Sequence, residues 1–128
     1  MIRIWAGATA SVVMFLAIGQ ASAQSGDAAR GQRVFNQQCR ACHTLEKGGA
    51  NTVGPNLHGV FGRKAGTAQG YTSSEAMTKS GIVWDDQTMA EYCRDPKGKV
   101  AATKMMFNGI KQPGQLDDLV AYLKEATK

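Results

Sequence analysis

The stretch Cys39-Arg40-Ala41-Cys42-His43 decides how this chain folds. A Cys-x-x-Cys-His run is the attachment signature of a c-type haem. Two thiols three positions apart can each bond one vinyl-derived carbon of the same porphyrin, and the adjacent imidazole can then ligate the iron. The motif therefore predicts one covalently bound haem c, attached through Cys39 and Cys42, with His43 as an iron ligand.

Two other interpretations of the same cysteines require surroundings that the sequence lacks. A thioredoxin-like redox pair requires a βαβ context, and no alternating strand pattern surrounds Cys39. A zinc site requires two further ligands at usable spacing. The remaining candidates, Cys93 and His58, are isolated in the sequence. These observations favour haem over both alternatives.

The first 23 residues have the pattern of a cleavable signal peptide. Arg3 supplies a basic start, the stretch from Trp5 to Ile18 is apolar and uncharged, and Ala21-Ser22-Ala23 matches the small-x-small cleavage pattern. Cleavage after Ala23 would leave residues 24–128 as a single domain in the periplasm, without a membrane anchor. An uncleaved signal anchor is the alternative. Export agrees with the motif, because haem c is attached outside the bacterial inner membrane.

The charge balance favours acidic partners. The chain has 15 Lys and Arg residues against 10 Asp and Glu residues, a formal net charge of +5. Such an excess suits acidic proteins or anionic lipid headgroups. Nucleic acid is excluded, because no basic run is interleaved with aromatic residues. A domain this small buries only part of its surface, so the haem is expected to form part of the core.

Apolar periodicity and capping residues predict where the helices lie. The predicted elements are, in chain order, a helix over 28–38 capped by Asp27, a turn over 74–79, a helix from Asp85 ended by Pro96, and a helix after Pro113. The glycine-rich stretch between them, over 43–73, is expected to be loop laid over the haem.

A second axial ligand must come from later sequence, because the motif lies near the start of the mature chain. The candidates are Met77, Met89, Met105 and Met106. Met89 shares an apolar helix face, where methionine usually fills the core. Met105 and Met106 lie in a loop-like stretch, and spacing alone does not separate them. His58 could give a bis-histidine iron, although a surface histidine is the expected interpretation.

Nearly all of residues 26–128 resembles the class I c-type cytochromes, the family of mitochondrial cytochrome c and bacterial cytochrome c2. Beyond the haem motif, the matching segments are GPNLHGVFGRK over 54–64, GIVW over 81–84, TKMMFNGI over 103–110 and DLVAYL over 118–123. The resemblance implies an all-α cytochrome c fold, with short-to-medium helices wrapped around one haem c. It also implies that His43 and Met105 are the axial ligands.

The resemblance further implies roles for individual residues. Those expected around the haem are Pro55 as carbonyl acceptor for His43, Arg63 and Trp84 at the inner propionate, Thr103 at the outer one, Tyr92 near the Met105 sulfur, and Phe107 at the exposed edge. Those expected to dock partners are Arg33, Lys97, Lys104 and Lys111. Ala101 and Ala102 stand where the family has Pro and Gly, so the Met105 loop is expected to be easier to displace.

The expected function is that of a soluble, monomeric one-electron carrier and not an enzyme, because a His/Met iron has no open position. In the family, the donor is the bc1 complex, and the acceptor is a terminal oxidase or a photosynthetic reaction centre; a periplasmic reductase is a further expected acceptor. One alternative is a haem enzyme or sensor that binds peroxide, CO or NO after Met105 dissociates. Another is a dedicated redox partner of a single periplasmic enzyme.

Overall fold

The computed structural model describes residues 26–128, so the predicted signal peptide over 1–23 lies outside the described residues. The helices of residues 26–128 are α1 (Ala28–Gln38), α2 (Glu75–Lys79), α3 (Asp86–Arg94), α4 (Pro96–Lys99) and α5 (Pro113–Ala126). Across this range, strand pairing is confined to one isolated antiparallel bridge between Lys64 and Val83. The all-α prediction is confirmed. Within the same range, no helix is long and apolar enough to cross a membrane.

Helix α1 begins and ends where the capping pattern predicts. The Asp27 carboxylate accepts a hydrogen bond from the backbone N–H of Arg30 at 2.8 Å, which satisfies a donor of the first turn. The helix then buries Gly31, Val34 and Phe35 on one face.

Helix α5 packs across α1 at Gly31, and the two backbones approach closely there. An ideal Cβ on Gly31 would lie 1.9 Å from the carbonyl oxygen of Asp118, so only glycine fits. One turn further along, the Phe35 and Tyr122 rings pack with centroids 5.8 Å apart. Leu119 is fully buried in the core beneath this crossing. The crossing therefore ties the two ends of the domain together.

An ion pair closes the outer side of the same crossing. The Asp118 carboxylate accepts from the Asp27 backbone N–H at 2.7 Å and from Arg30 Nε at 2.9 Å. The Asp118 side chain is only 10% exposed, whereas that of Arg30 is 59% exposed. The hydrogen bond from Arg30 and then that from Asp27 hold the pKa of Asp118 below its usual range.

Replacing Asp118 by asparagine is expected to lower the free energy of unfolding at neutral pH, because the ion pair is lost. The lowered pKa means that this stabilisation is complete above the usual aspartate pKa and disappears as the pH falls through the native value. Denaturant unfolding of wild type and Asp118→Asn at a series of pH values measures the difference. The gap should close in acid. A gap independent of pH would show that the Asp118 charge does not stabilise the crossing.

Helix α3 begins at the predicted cap and ends before Pro96. Asp85 and Thr88 form a reciprocal capping box, with the Asp85 carboxylate accepting from the Thr88 N–H at 2.8 Å. Pro96 does not simply stop the chain, because it opens α4 at its first position with Asp95 as N-cap. Helix α4 was not predicted from the sequence. The fixed φ of proline suits the first position of a helix, so the residue that ends α3 also begins α4.

The segment between α4 and α5 is not helical, and its last part packs against the carboxyl end of α3. The Ile110 N–H donates to the Cys93 carbonyl at 2.9 Å, and Lys111 Nζ donates to the Arg94 carbonyl at 2.7 Å. Gly109 has a φ of +97°, and a Cβ there would lie 2.0 Å from the Arg94 carbonyl oxygen. These contacts satisfy carbonyls at the end of α3 and fix the path of the chain over residues 109–111.

Candidate haem site

A largely apolar cavity is enclosed by the end of α1, the loops before α2, helix α3, and the segment that follows α4. Its lining includes all the residues predicted to bind haem: Cys39, Cys42, His43, Pro55, Arg63, Trp84, Tyr92, Thr103, Met105 and Phe107. These residues come from segments far apart in the sequence. The fold therefore brings the complete predicted set to one cavity.

The Cys-x-x-Cys-His motif forms a tight turn directly after α1. The backbone N–H groups of Cys42 and His43 both donate to the Cys39 carbonyl, at 3.0 and 3.1 Å. This turn directs both thiols and the imidazole to the same cavity. Burial raises the pKa of the Cys39 thiol to about 11, so a thiol not yet attached to haem is neutral at physiological pH.

The His43 ring is oriented by the loop beside it. Its Nδ1 lies 2.8 Å from the Pro55 carbonyl oxygen, which can only accept, so the proton is on Nδ1 and Nε2 keeps its lone pair. Burial lowers the pKa of His43 and favours this neutral ring, although the bond to Pro55 opposes the shift. Gly54 packs against the ring, since a Cβ there would lie 2.4 Å from His43 Cε1. A neutral, oriented imidazole is the form that ligates iron.

Arg63 provides a partly buried cation that fits an anionic group in the cavity. Its guanidinium donates to the carbonyls of His58 and Asn56 at 3.2 and 3.5 Å. Within residues 26–128 it forms no ion pair with a carboxylate. Burial lowers the pKa of Arg63, so a nearby anion would stabilise its charge. The propionates of haem are such anions, and this arrangement fits that cofactor.

Trp84 lies beside Arg63 because the backbone around Trp84 is hydrogen-bonded to the backbone of residues 62–63. The Trp84 N–H donates to the Arg63 carbonyl at 3.0 Å, and the Gly62 N–H donates to the Trp84 carbonyl at 2.7 Å. The Trp84 ring packs on the ring of Tyr92, with centroids 5.3 Å apart. The two residues predicted at the inner propionate are therefore neighbours. Their hydrogen bonds to that propionate stay a prediction.

The structure separates the candidates for the second axial ligand. Met105 and Met106 both line the cavity, but Met105 is half-buried and packs against the core, whereas Met106 is 90% exposed. Met89 is buried in the core, as its place on a helix face indicated. Met77 also lines the cavity from α2. His58 does not line this cavity in the part of the chain that the structure describes, so nothing there supports a bis-histidine iron.

Thr103 forms contacts that the sequence did not reveal. Its hydroxyl lies 2.5 Å from the Tyr92 hydroxyl and accepts from the Met105 N–H at 3.3 Å. The pair joins α3 to the segment that carries Met105. The predicted bond of Thr103 to the outer propionate stays a prediction, as does the position of Tyr92 near the Met105 sulfur. No local signal could have revealed a pairing between these two hydroxyl groups.

The predicted docking residues are all exposed: Arg33, Lys97, Lys104 and Lys111. Two of them are also engaged with the protein's own backbone, since Lys104 Nζ donates to the Thr72 carbonyl at 2.6 Å and Lys111 Nζ bonds Arg94. These two ammonium groups are therefore held in place.

Cys93 and Tyr71 complete the cavity wall. Burial raises the pKa of the Cys93 thiol to about 12, so it is protonated and packs as a small apolar group. Tyr71, which was not among the predicted site residues, also lines the cavity, and its hydroxyl donates to the Val53 carbonyl at 2.9 Å. The one feature of the sequence that could have indicated a role for Tyr71 is that it is an isolated aromatic residue in a glycine-rich stretch.

Comparison with known proteins agrees with this geometry. The family model described as Cytochrome c matches residues 28–127. The protein "Cytochrome c" of Gibberella zeae is 46% identical over 103 residues, covering 80% of this chain and 97% of the relative. "Cytochrome c" of Arabidopsis thaliana is also 46% identical over 103 residues, covering 80% of this chain and 92% of the relative. "Cytochrome c2" of Blastochloris viridis is 46% identical over 110 residues, covering 86% of each chain.

Proposed function

Because this chain belongs to the cytochrome c family of electron carriers, which bind haem c covalently through the motif cysteines, we propose that it is a periplasmic one-electron carrier with His43 and Met105 as iron ligands. Haem c is attached through Cys39 and Cys42. When bound, it supplies an iron that gains and loses one electron. The observation that carries the proposal is that both thiols, the His43 ring and Met105 line one apolar cavity.

The residues around the cavity are suited to electron transfer and not to substrate chemistry. The Pro55 carbonyl holds the His43 ring in one orientation, and Met105 packs against the core. Ligands held in this way move little when the charge of a metal changes. If His43 and Met105 both held the iron, no position on it would remain for a substrate. A thioether ligand also favours a high reduction potential.

Exposed cations support docking on acidic surfaces of membrane redox complexes. Arg33 and Lys97 are exposed, and the chain has an excess of basic residues. Such charges raise the rate of encounter with an acidic partner and lose their effect as salt is added. A bc1-type complex as donor, and an oxidase, reaction centre or periplasmic reductase as acceptor, fit this chemistry. The periplasmic location rests on the signal pattern of residues 1–23, and an expressed protein beginning at Gln24 would support it.

An optically monitored redox titration of the mature, haem-loaded protein tests the proposal. We expect a single one-electron couple at high positive potential. A couple far below that range would contradict ligation by Met105. Addition of CO to the reduced protein at neutral pH distinguishes the alternative function, because rapid binding would show an open position on the iron and favour a sensor or haem enzyme.

A further inference from the structure

An Asn-Gly pair, Asn108 and Gly109, lies at the edge of the haem cavity. Asn108 is exposed and directly follows Met105, Met106 and Phe107, which all line the cavity. Asparagine is a thermolabile residue, because the nitrogen of the next peptide bond can attack its side-chain amide. Glycine in the next position leaves this attack unobstructed, since it has no Cβ. The pair is therefore suited to spontaneous loss of the amide.

Both reacting groups of the pair are free of hydrogen bonds. Within residues 26–128, neither the Asn108 side chain nor the backbone N–H of Gly109 is hydrogen-bonded to the protein. The chain is held one residue later, where the Ile110 N–H donates to the Cys93 carbonyl at 2.9 Å. No hydrogen bond within that range must therefore be broken before the Gly109 nitrogen approaches Cγ of Asn108.

The other three asparagines of the chain are protected from the same reaction. The Asn51 amide donates to the Gln69 carbonyl at 3.0 Å, and the Asn56 amide donates to the Glu46 carbonyl at 2.9 Å. In both cases the following N–H donates to a backbone carbonyl at 2.9 Å. Asn36 lies inside α1, where the following N–H belongs to the helix. Asn108 thus differs from all of them in its surroundings as well as in the residue that follows it.

A cation lies beside the Asn-Gly pair. Lys111 Nζ is close to Gly109, because a Cβ on Gly109 would lie 3.1 Å from it. Lys104 is a second exposed lysine in the same segment, and both lysines are predicted to dock partners. A nearby ammonium group favours a carboxylate over a neutral amide. A carboxylate at position 108 would in turn offset part of the positive charge of this docking surface.

We propose that Asn108 is a deamidation site, at which the protein adds a negative charge to its docking surface. The Gly109 nitrogen bonds to Cγ of Asn108, and the side-chain amide nitrogen leaves as ammonia together with the proton of the Gly109 N–H. Water then opens the cyclic imide at either of its carbonyls and gives aspartate or isoaspartate. The reaction requires no oxidant or reductant.

The consequence for docking rests on the proposed function, whereas the modification itself does not. A carboxylate at position 108 weakens the attraction of acidic partners, and of other anions, to the edge of the cavity. The isoaspartate form also lengthens the backbone next to Gly109, where space is short, since a Cβ there would lie 2.0 Å from the Arg94 carbonyl oxygen. The deamidated protein is therefore a slower carrier.

Incubation of the haem-loaded protein at mildly alkaline pH tests the site, with ion-exchange chromatography and peptide mapping by mass spectrometry as the readouts. We expect Asn108 to lose its amide about tenfold faster than Asn51 or Asn56, because those two must first break hydrogen bonds. In Asn108→Gln, which keeps an amide on a longer side chain, the early acidic form should be absent. Equal rates at the asparagines, or an early acidic form that persists in Asn108→Gln, would overturn the site.

Asn108→Asp reproduces the aspartate product and tests the consequence for docking. The probe is hexacyanoferrate(III), a small anionic oxidant. We expect it to oxidise the reduced variant about twofold to fivefold more slowly than wild type at low ionic strength, and the difference to vanish at high salt.

Lys128→Gln is the matched control, because it lowers the net charge by the same amount at an exposed lysine that follows α5 and is not part of the described cavity lining. Its oxidation rate should stay near that of wild type. Equal slowing in the two variants would overturn the effect on docking while leaving the deamidation site in place. If hexacyanoferrate(III) does not oxidise the wild-type protein, the carrier function fails together with the effect on docking, whereas the peptide map of Asn108 does not depend on it.

Discussion

Replacing Met105 by alanine is expected to lower the reduction potential of the haem-loaded protein by a few hundred millivolts, a large part of the roughly 0.8 V over which axial ligands set haem potentials. The physical reason is that a thioether stabilises the reduced iron, and alanine offers no donor atom. The variant should also bind CO rapidly when reduced, because one axial position is then open. An optical redox titration and CO difference spectra measure both effects.

Met106→Ala is the matched control for this prediction. The same side chain is removed one position further along, but the Met106 side chain is 90% exposed, so its loss should leave the potential and the CO response unchanged. A potential that falls in Met106→Ala and not in Met105→Ala would exchange the roles of the two residues. If the potential falls in neither variant, neither methionine ligates the iron, and Met77, which also lines the cavity, becomes the candidate ligand.

Replacing Gly31 by alanine is expected to lower the free energy of unfolding by about 3 kcal/mol or more. The added Cβ would lie 1.9 Å from the carbonyl oxygen of Asp118 and 2.7 Å from Cβ of Tyr122, so α1 and α5 must separate. Neither contact can be relieved by rotating a side chain, because the first atom is backbone and the second is fixed to it. Denaturant unfolding of the haem-loaded variant, followed by helical circular dichroism, measures the loss.

Gly114→Ala provides the control for Gly31→Ala. Gly114 also lies in a helix, α5, but an ideal Cβ there meets no atom within 4 Å. Alanine favours the helix over glycine by up to about 1 kcal/mol, so this variant should be as stable as wild type or slightly more stable. Equal stabilities of the two variants would show that α1 and α5 can separate without loss, contrary to the close approach described above.

The basic residues around the cavity divide into two groups. Arg33 and Lys97 are exposed and make no hydrogen bond to a backbone carbonyl within residues 26–128, whereas the ammonium groups of Lys104 and Lys111 donate to the carbonyls of Thr72 and Arg94. A substitution at either of the latter positions changes the surface charge and removes a hydrogen bond to the backbone at the same time. Docking studies that use Lys97 therefore measure electrostatic steering more directly than those that use Lys104.

Most of the helices could be predicted from the sequence because their signals are local. Asp27 and Asp85 each cap the helix predicted to follow them, and the apolar faces of α1 and α5 repeat at helical spacing. Helix α4 was missed because a four-residue helix has too few positions to show any period. The one sequence signal for α4 is Pro96 after the polar cap Asp95, and the same proline also marks the end of α3.

The sequence by itself determined the cofactor, the segment that attaches it and the principal helices, because a motif of adjacent residues and the spacing within one helix need no distant partner. Only the tertiary structure decided that Met105 packs against the core whereas the adjacent Met106 is exposed to solvent. It alone decided that Tyr92 meets Thr103 and that Lys104 meets Thr72, which is 32 positions away. Such contacts depend on how loops without a repeating pattern pack around the core, so they cannot be predicted from the spacing of residues along the chain.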